Sequence, residues 1–209
     1  MNIIPLGIFF SKQVLKLLHL EEITVRKVIS FNMITANGFF EGPNQDISWH
    51  NVDQEFNEFA MKQLRSVDMI LFGRVTYQLM ANYWPTQAAI ESDPIIAKKM
   101  NAMPKIVFSK TLDKAEWNNT RLIRGNIAKE ISYLKGLPGK NLIIFGSSDL
   151  TVVMAQMGLV DEFRIMVNPA VIGSGKPFLN GIEGKINLKL LRAKTFHSGN
   201  ILLYYQPVD

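Results

Sequence analysis

The 209 residues suit one domain, and 47% hydrophobic against 20% charged residues supply a sizeable core, which excludes wholesale disorder. No cysteine is present, so disulfide frameworks, thiolate nucleophiles and cysteine zinc sites are excluded together, and the composition fits a reducing, cytoplasmic setting. A formal charge of +5 favours anionic partners, but no basic run exceeds a pair such as Lys98-Lys99, so nucleic acid is the weaker partner class.

Residues 1–25 read as an extension outside the domain. Their charges cancel, Lys12 and Lys16 against Glu21 and Glu22, so the basic surplus belongs to residues 26–209. Met1 to Phe10 is apolar but has no basic leader, and no stretch approaches the roughly 20 apolar residues that cross a bilayer. Val14, Leu15, Leu17 and Leu18 suit a short amphipathic helix. The histidines, His19, His50 and His197, have no metal-ligand spacing, so no metal is expected.

From Arg26 onward, strand-like and helix-like stretches alternate. Val28 to Ile34 is apolar and β-branched and stops at the Asn37-Gly38 turn signal. Asp53 then opens a helical pattern with Phe56, Phe59, Ala60 and Leu64 on one face. Met69 to Phe72 predicts a buried strand halted by Gly73, and Val75, Leu79 and Tyr83 repeat at helical spacing up to Trp84-Pro85. Ile96, Met100 and Met103 mark the next helix, and Lys105 to Ser109 and Arg121 to Ile123 the next strands. Ile127, Ile131 and Leu134 predict a helix, Leu142 to Phe145 a strand, and Leu150, Val153, Met154 and Met157 a helix capped near Gly158. Glu162 to Val167, Ile186 to Ala193 and Ile201 to Gln206 close the chain as strands. Such alternation predicts an α/β domain with parallel pairing, an antiparallel hairpin at one edge, and a single sheet throughout.

Two strand ends carry the most chemistry. At Phe72-Gly73-Arg74-Val75-Thr76 a buried strand meets glycine and a helix begins at once. Ligands in open α/β sheets bind at the carboxyl ends of strands, and a helix N-terminus there presents free N–H groups to phosphate. Arg74 adds a permanent cation and Thr76 a hydroxyl. The plainer reading is a tight turn, a helix-start threonine and a surface arginine. Phe145-Gly146-Ser147-Ser148 repeats the arrangement and suits a pyrophosphate, against an ordinary turn with a serine cap. Neither is a GxGxxG motif or a P-loop. Ser109-Lys110 adds a hydroxyl and a cation at a third strand end.

Several segments occur together and in order: Ala36-Asn37-Gly38-Phe39, Asp53-Gln54-Glu55-Phe56, Gly73-Arg74-Val75-Thr76-Tyr77, and Met103-Pro104 through Ser109-Lys110. They are followed by Phe145-Gly146-Ser147-Ser148, Asp161-Glu162 and Gly173-Ser174-Gly175-Lys176-Pro177-Phe178. On these, residues 26–206 resemble the dihydrofolate reductase superfamily. Within it they are most similar to stand-alone bacterial proteins related to the C-terminal reductase domain of the bifunctional riboflavin-biosynthesis deaminase/reductase. The resemblance implies a dihydrofolate reductase-like three-layer fold with a mostly parallel eight-stranded sheet. It also implies a homodimer and an NADPH site along the strand ends. Arg74 and Thr76 would hold the cofactor phosphates, Gly73 would let them approach, and Ser109 and Lys110 would border the adenosine end. Gly146, Ser147 and Ser148 would bind the pyrophosphate, and Thr35 and Asn37 would lie beside the cofactor. Where the family often has Asp-Gly this chain has Asn37-Gly38, which removes a negative charge from that turn.

For reaction chemistry, Asp53 and Glu55 are the acids at the start of the first helix and the candidates for proton transfer. Asp53 equally suits a helix cap, and Glu55 a solvated first-turn acid. Phe40 and Trp49 suit an apolar wall for a heterocyclic substrate, Phe39 fits the core better, and His50 is either a phosphate contact or a surface residue. The expectation is an NADPH-dependent reductase of a small heterocyclic substrate. The alternative is a cofactor- or ligand-binding protein of this fold that has lost catalysis.

Overall fold

The computed structural model describes residues 25–208. The amphipathic helix expected within residues 1–25 therefore lies outside the described residues. Strand β1 (Val28–Thr35) is buried nearly end to end, as a central strand covered on both faces must be. β2 is Phe39–Glu41, and α1 (Gln54–Arg65) starts at Asp53, whose side chain accepts from the Phe56 amide. β3 (Val67–Gly73) runs without a break into α2 (Arg74–Tyr83). Then follow α3 (Gln87–Ser92), α4 (Pro94–Ala102), β4 (Lys105–Phe108), β5 (Thr120–Ile123) and α5 (Ile127–Lys135). β6 (Asn141–Phe145), α6 (Ser148–Gln156), β7 (Glu162–Asn168), β8 (Lys176–Pro177), β9 (Asn187–Thr195) and β10 (Ile201–Val208) complete the chain.

The main sheet has eight strands in the order β5-β4-β3-β6-β1-β7-β10-β9. β5 through β7 are mutually parallel, while β10 is antiparallel to both β7 and β9. On one face, Phe59 and Leu64 of α1, Tyr77 of α2 and Ile96 and Met100 of α4 pack on Ile29, Phe31, Met33 and Ile143. On the other, Ile131 and Leu134 of α5 and Leu150 and Met154 of α6 pack on Val28, Leu71, Ile106 and Leu142. The result is the three-layer, dihydrofolate reductase-like α/β architecture with its C-terminal antiparallel hairpin.

A single sheet does not account for every strand. β2 and β8 form a separate antiparallel ribbon. Neither is long enough to announce itself in sequence, and the approach depends on Gly175, at φ +155°, where a side-chain carbon would collide with the Glu41 carbonyl. Two further departures are local. Helix α3, opened by a cap from Thr86 to the Ala89 amide, is too short to show a period. In α2 the repeat of Val75, Leu79 and Tyr83 is helical but points to solvent, because Tyr77 is the side chain that enters the core, against Phe72 and Trp117.

Lys105 is 1% exposed at the start of β4. Its ammonium donates to the carbonyls of Met100 (2.8 Å), Asn101 (3.2 Å) and Met103 (2.7 Å) and lies 4.4 Å from the Trp117 ring centroid. A cation thus closes the C-terminus of α4, where the helix dipole favours it. Burial pushes the amine down to about 8, so it is still charged near neutrality. Replacing Lys105 by Met, which keeps the stem and removes the donors, strands these carbonyls. Urea denaturation should show a loss of about 2–4 kcal/mol.

Candidate functional site at the carboxyl edge of the sheet

Because β1, β3, β4 and β6 are parallel, they deliver Thr35, Gly73, Ser109 and Gly146 to the same edge of the sheet. Two hydrogen bonds join the turns after β3 and β6. The Gly73 amide donates to Ser147 Oγ (3.1 Å), and Thr76 Oγ1 donates to the Gly146 carbonyl (2.8 Å). They bring the N-termini of α2 and α6 side by side, so two sets of free amides and two positive dipole ends share one locality. Gly146 makes the turn possible, since its φ of +55° is a conformation that L side chains adopt only with strain.

Arg74 stands at the mouth, exposed, with Gln78 Oε1 as its partner at 3.0 Å. It lines an open cleft of about 620 Å³ together with Gln78, Thr111, Leu112, Asp113 and Lys114. The far wall of the cleft is the loop after β4. Ser109 Oγ accepts from the amides of Thr111 (3.1 Å) and Leu112 (2.9 Å), and Arg124 holds the Asp113 carbonyl at 2.9 Å. Lys110 is exposed beside it. The edge thus offers the backbone donors and unpaired cations that a phosphorylated nucleotide requires, and it fits NADPH on those grounds.

The side chains divide this work differently from the expectation. Ser147 and Ser148 are both buried, so their hydroxyls do not face the cleft. Ser147 Oγ is occupied by the Gly73 amide, and Ser148 Oγ is sealed without a partner. Only the backbone of this turn remains to meet an anion. Thr35 is fully buried, and its hydroxyl donates to Asn37 Oδ1 (2.8 Å) while accepting from the Phe39 amide (2.9 Å). Asn37 donates to the Ile172 carbonyl (2.7 Å), which an aspartate could not do. The Asn37 side chain therefore ties the turn after β1 to the loop after β7.

The residues expected on the substrate side are equally committed. Asp53 caps α1 at 2.7 Å from the Phe56 amide, so its carboxylate serves the helix rather than standing free for proton transfer. Glu55 accepts from Lys194 (2.9 Å) and from the His197 amide (2.9 Å). Lys194, then His197, hold its carboxyl down at about 2, which makes it an anion and no proton donor near neutral pH. Trp49 is half-buried against the α1 side of the core, and its indole donates to the Asp46 carbonyl (3.2 Å). Phe40 is half-buried in β2. His50 is not a free surface residue: burial pushes it down to about 4, so it is neutral, and its Nε2 is sealed without a partner. Asn51, Asn168 and Asn200 carry the loop's attachment and were not singled out from sequence. The Asn51 amide donates to Asn168 Oδ1 (2.9 Å), and Asn200 Nδ2 donates to the Asn51 carbonyl (2.8 Å). Isolated asparagines give no periodic signal by which to find them. Among the described residues no cluster of metal ligands occurs, and no helix is long and apolar enough to cross a membrane.

Glu55 also sets an acid dependence. Its folded-state value lies below the ordinary 4.5, so its contribution to stability is complete above that value and disappears as pH falls through about 2. Urea midpoints of wild type and Glu55→Gln should differ by a constant amount at neutral pH and converge on acidification below roughly pH 4.

Three likenesses accompany this geometry. The protein YyaP of Bacillus subtilis (strain 168) is 34% identical over 182 residues, covering 86% of this chain and 94% of its own. A Shewanella sp. PV-4 protein, described as a riboflavin-biosynthesis protein, superposes with a TM-score of 0.68 at 18% identity, over 88% of this chain and 99% of its own. The dihydrofolate reductase of Enterococcus faecalis, solved with NADP(H), superposes with a TM-score of 0.55 at 11% identity, over 88% of this chain and 97% of its own. Residues 26–202 match the family model of the RibD C-terminal domain, and the chain belongs to that family.

Proposed function

We propose that the protein is an NADPH-dependent reductase of a small heterocyclic substrate, of the kind handled by 5-amino-6-(5-phosphoribosylamino)uracil reductases. The observation that carries this is the pair of helix N-termini, α2 and α6, tied together by the Gly73–Ser147 and Thr76–Gly146 hydrogen bonds beside an exposed Arg74. NADPH, when bound, supplies the hydride. The amides of the two turns hold its pyrophosphate, and Arg74 with Lys110 meets the phosphate on the adenosine ribose. Thr35 and Asn37 act indirectly, by fixing the turn after β1. Phe40 and Trp49 supply the apolar wall for the heterocycle. Asp53 and Glu55 position the helix and the hairpin, and neither moves a proton. The basic surplus serves this anionic cofactor rather than nucleic acid, and the reaction is placed in the cytoplasm.

A second reading, a ligand-binding protein without catalysis, has one specific observation in its favour: both first-helix acids are occupied. Cofactor fluorescence separates the two. Titration with NADPH and with NADH should show a preference for NADPH. Oxidation should follow addition of dihydrofolate or, more rapidly, of the ribosylaminopyrimidine. Tight NADPH binding with no turnover on either compound would select the second reading, and no binding would remove both.

Arg74→Ala should weaken NADPH about 10-fold or more and leave NADH nearly unchanged, the charge-assisted bond to one phosphate being worth about 1.5–3 kcal/mol. Equal losses for both cofactors would take Arg74 away from the distinguishing phosphate. Gly146→Ala should cost roughly 1–2 kcal/mol of stability through its φ and weaken both cofactors together.

A further inference from the structure

The loop after β7 is fastened as a strap, on one side to the turn after β1 and on the other along α6. Toward β1, Asn37 Nδ2 donates to the Ile172 carbonyl (2.7 Å) and the Phe178 amide donates to the Gly38 carbonyl (2.9 Å). Toward α6, Lys176 Nζ pairs with Asp149 Oδ1 (2.7 Å), Leu179 packs on the cluster that holds Leu150 and Met154, and Gln156 Nε2 donates to the Gly181 carbonyl (3.2 Å). The Lys176–Asp149 pair is the charged one among these ties. Its side chains are 32% and 72% exposed, and an ion pair so open to water adds little to stability. Holding the strap is a task that the neutral ties already perform. The place of the pair is more telling. Asp149 stands in the first turn of α6, three residues after Gly146, so its carboxylate occupies part of the positive helix end that favours an incoming phosphate. Lys176 approaches from the side opposite Arg74: Arg74 follows β3 and the strap follows β7, with β6 and β1 between them. Its cross-strand neighbour in the ribbon is Glu41, yet its ammonium goes to Asp149.

We propose that Lys176 is a further cation of the cofactor site, which leaves Asp149 for the pyrophosphate when a dinucleotide binds at the start of α6. The inference rests on the NADPH reading above and adds to it a pair whose two members act with opposite sign. The pyrophosphate gains Lys176, while Asp149, left without its partner beside the ligand, opposes it. Asp149 thereby sets a threshold. An anion must carry enough charge at that turn to draw the ammonium off a carboxylate, which favours a diphosphate over a singly charged ion. Because NADPH and NADH share the pyrophosphate, the exchange does not discriminate between them, in contrast to Arg74.

Fluorescence titration of the full chain with NADPH and with NADH reads the exchange without turnover, in wild type, Lys176→Met, Lys176→Arg and Asp149→Asn. Lys176→Met should weaken both cofactors about 5-fold, Lys176→Arg should keep most of the affinity, and Asp149→Asn should tighten both about 3-fold. When Asp149→Asn is added to Lys176→Met, its gain should be smaller than in wild type, because no ion pair is then broken on binding. Circular dichroism checks the fold of each variant, and Lys176→Gln is read in place of Lys176→Met should that one not fold. A pair that only anchors the strap gives a different result: both single variants break the same contact and weaken binding together. Wild type that binds NADPH, with Asp149→Asn weaker or unchanged, overturns the exchange and leaves the cofactor reading standing. A loss in Lys176→Met confined to NADPH overturns it too, by moving Lys176 to the adenosine ribose phosphate. Wild type that binds neither cofactor removes the cofactor reading and this inference with it.

Discussion

Two neighbouring parallel strands must release their following helices from the same edge of the sheet, and β3 and β6 are such neighbours. The consequence is electrostatic as well as geometric. Free amides at the starts of α2 and α6 would repel one another's dipoles if nothing joined them. The Gly73 amide to Ser147 Oγ and the Thr76 hydroxyl to the Gly146 carbonyl supply that joint, each satisfying a polar group that would otherwise lie at a helix start. Arg74, in the first turn of α2, lines the cleft beside this joint. The site is therefore a property of sheet order first and of side chains second.

Beneath that joint, the interior is polar in a controlled way. Ser30, on the central strand, meets Thr151 of α6 at 2.9 Å, and Asn32 donates to Ser30 at 2.8 Å, all of them buried. The ladder anchors α6 to the central strand within one turn of its N-terminus, and specific hydrogen bonds resist sliding in a way that apolar packing does not. Lys105 plays the corresponding part for α4. At the opposite edge of the sheet, buried Arg26 pairs with Asp68 and fixes the start of β1 against the start of β3. Helices on both layers are thus tied to the sheet at points, and the loops between them are free to differ.

The start of α1 shows what happens when acids become structural. Asp53 holds the start of α1, and Glu55 draws the β9–β10 turn toward that helix through Lys194 and His197. Asn51, Asn168 and Asn200 clamp the loop that carries Trp49 to the ends of β7 and the hairpin. These contacts order the loop around Trp49 at the expense of free titratable groups.

Much of this was legible in the residues alone. The alternation of β-branched runs with helical periods gave strands and helices close to their observed bounds, because burial on both faces of a strand and on one stripe of a helix leaves different spacings. Gly73 and Gly146 marked the two important turns, since a strand that meets glycine and then a helix has few other geometries. Sequence did not tell which hydroxyls face the ligand. Thr35, Ser147 and Ser148 carry the right chemistry, but Thr35 is spent on its own turn, Ser147 on the amide of Gly73 far away in sequence, and Ser148 is sealed inside the fold. It did not reveal the ribbon of β2 and β8, whose strands are shorter than any period. Nor did it give the outward face of α2. Local spacing determines which residues share a side of an element; only the packing of the other elements decides whether that side meets protein, ligand or water.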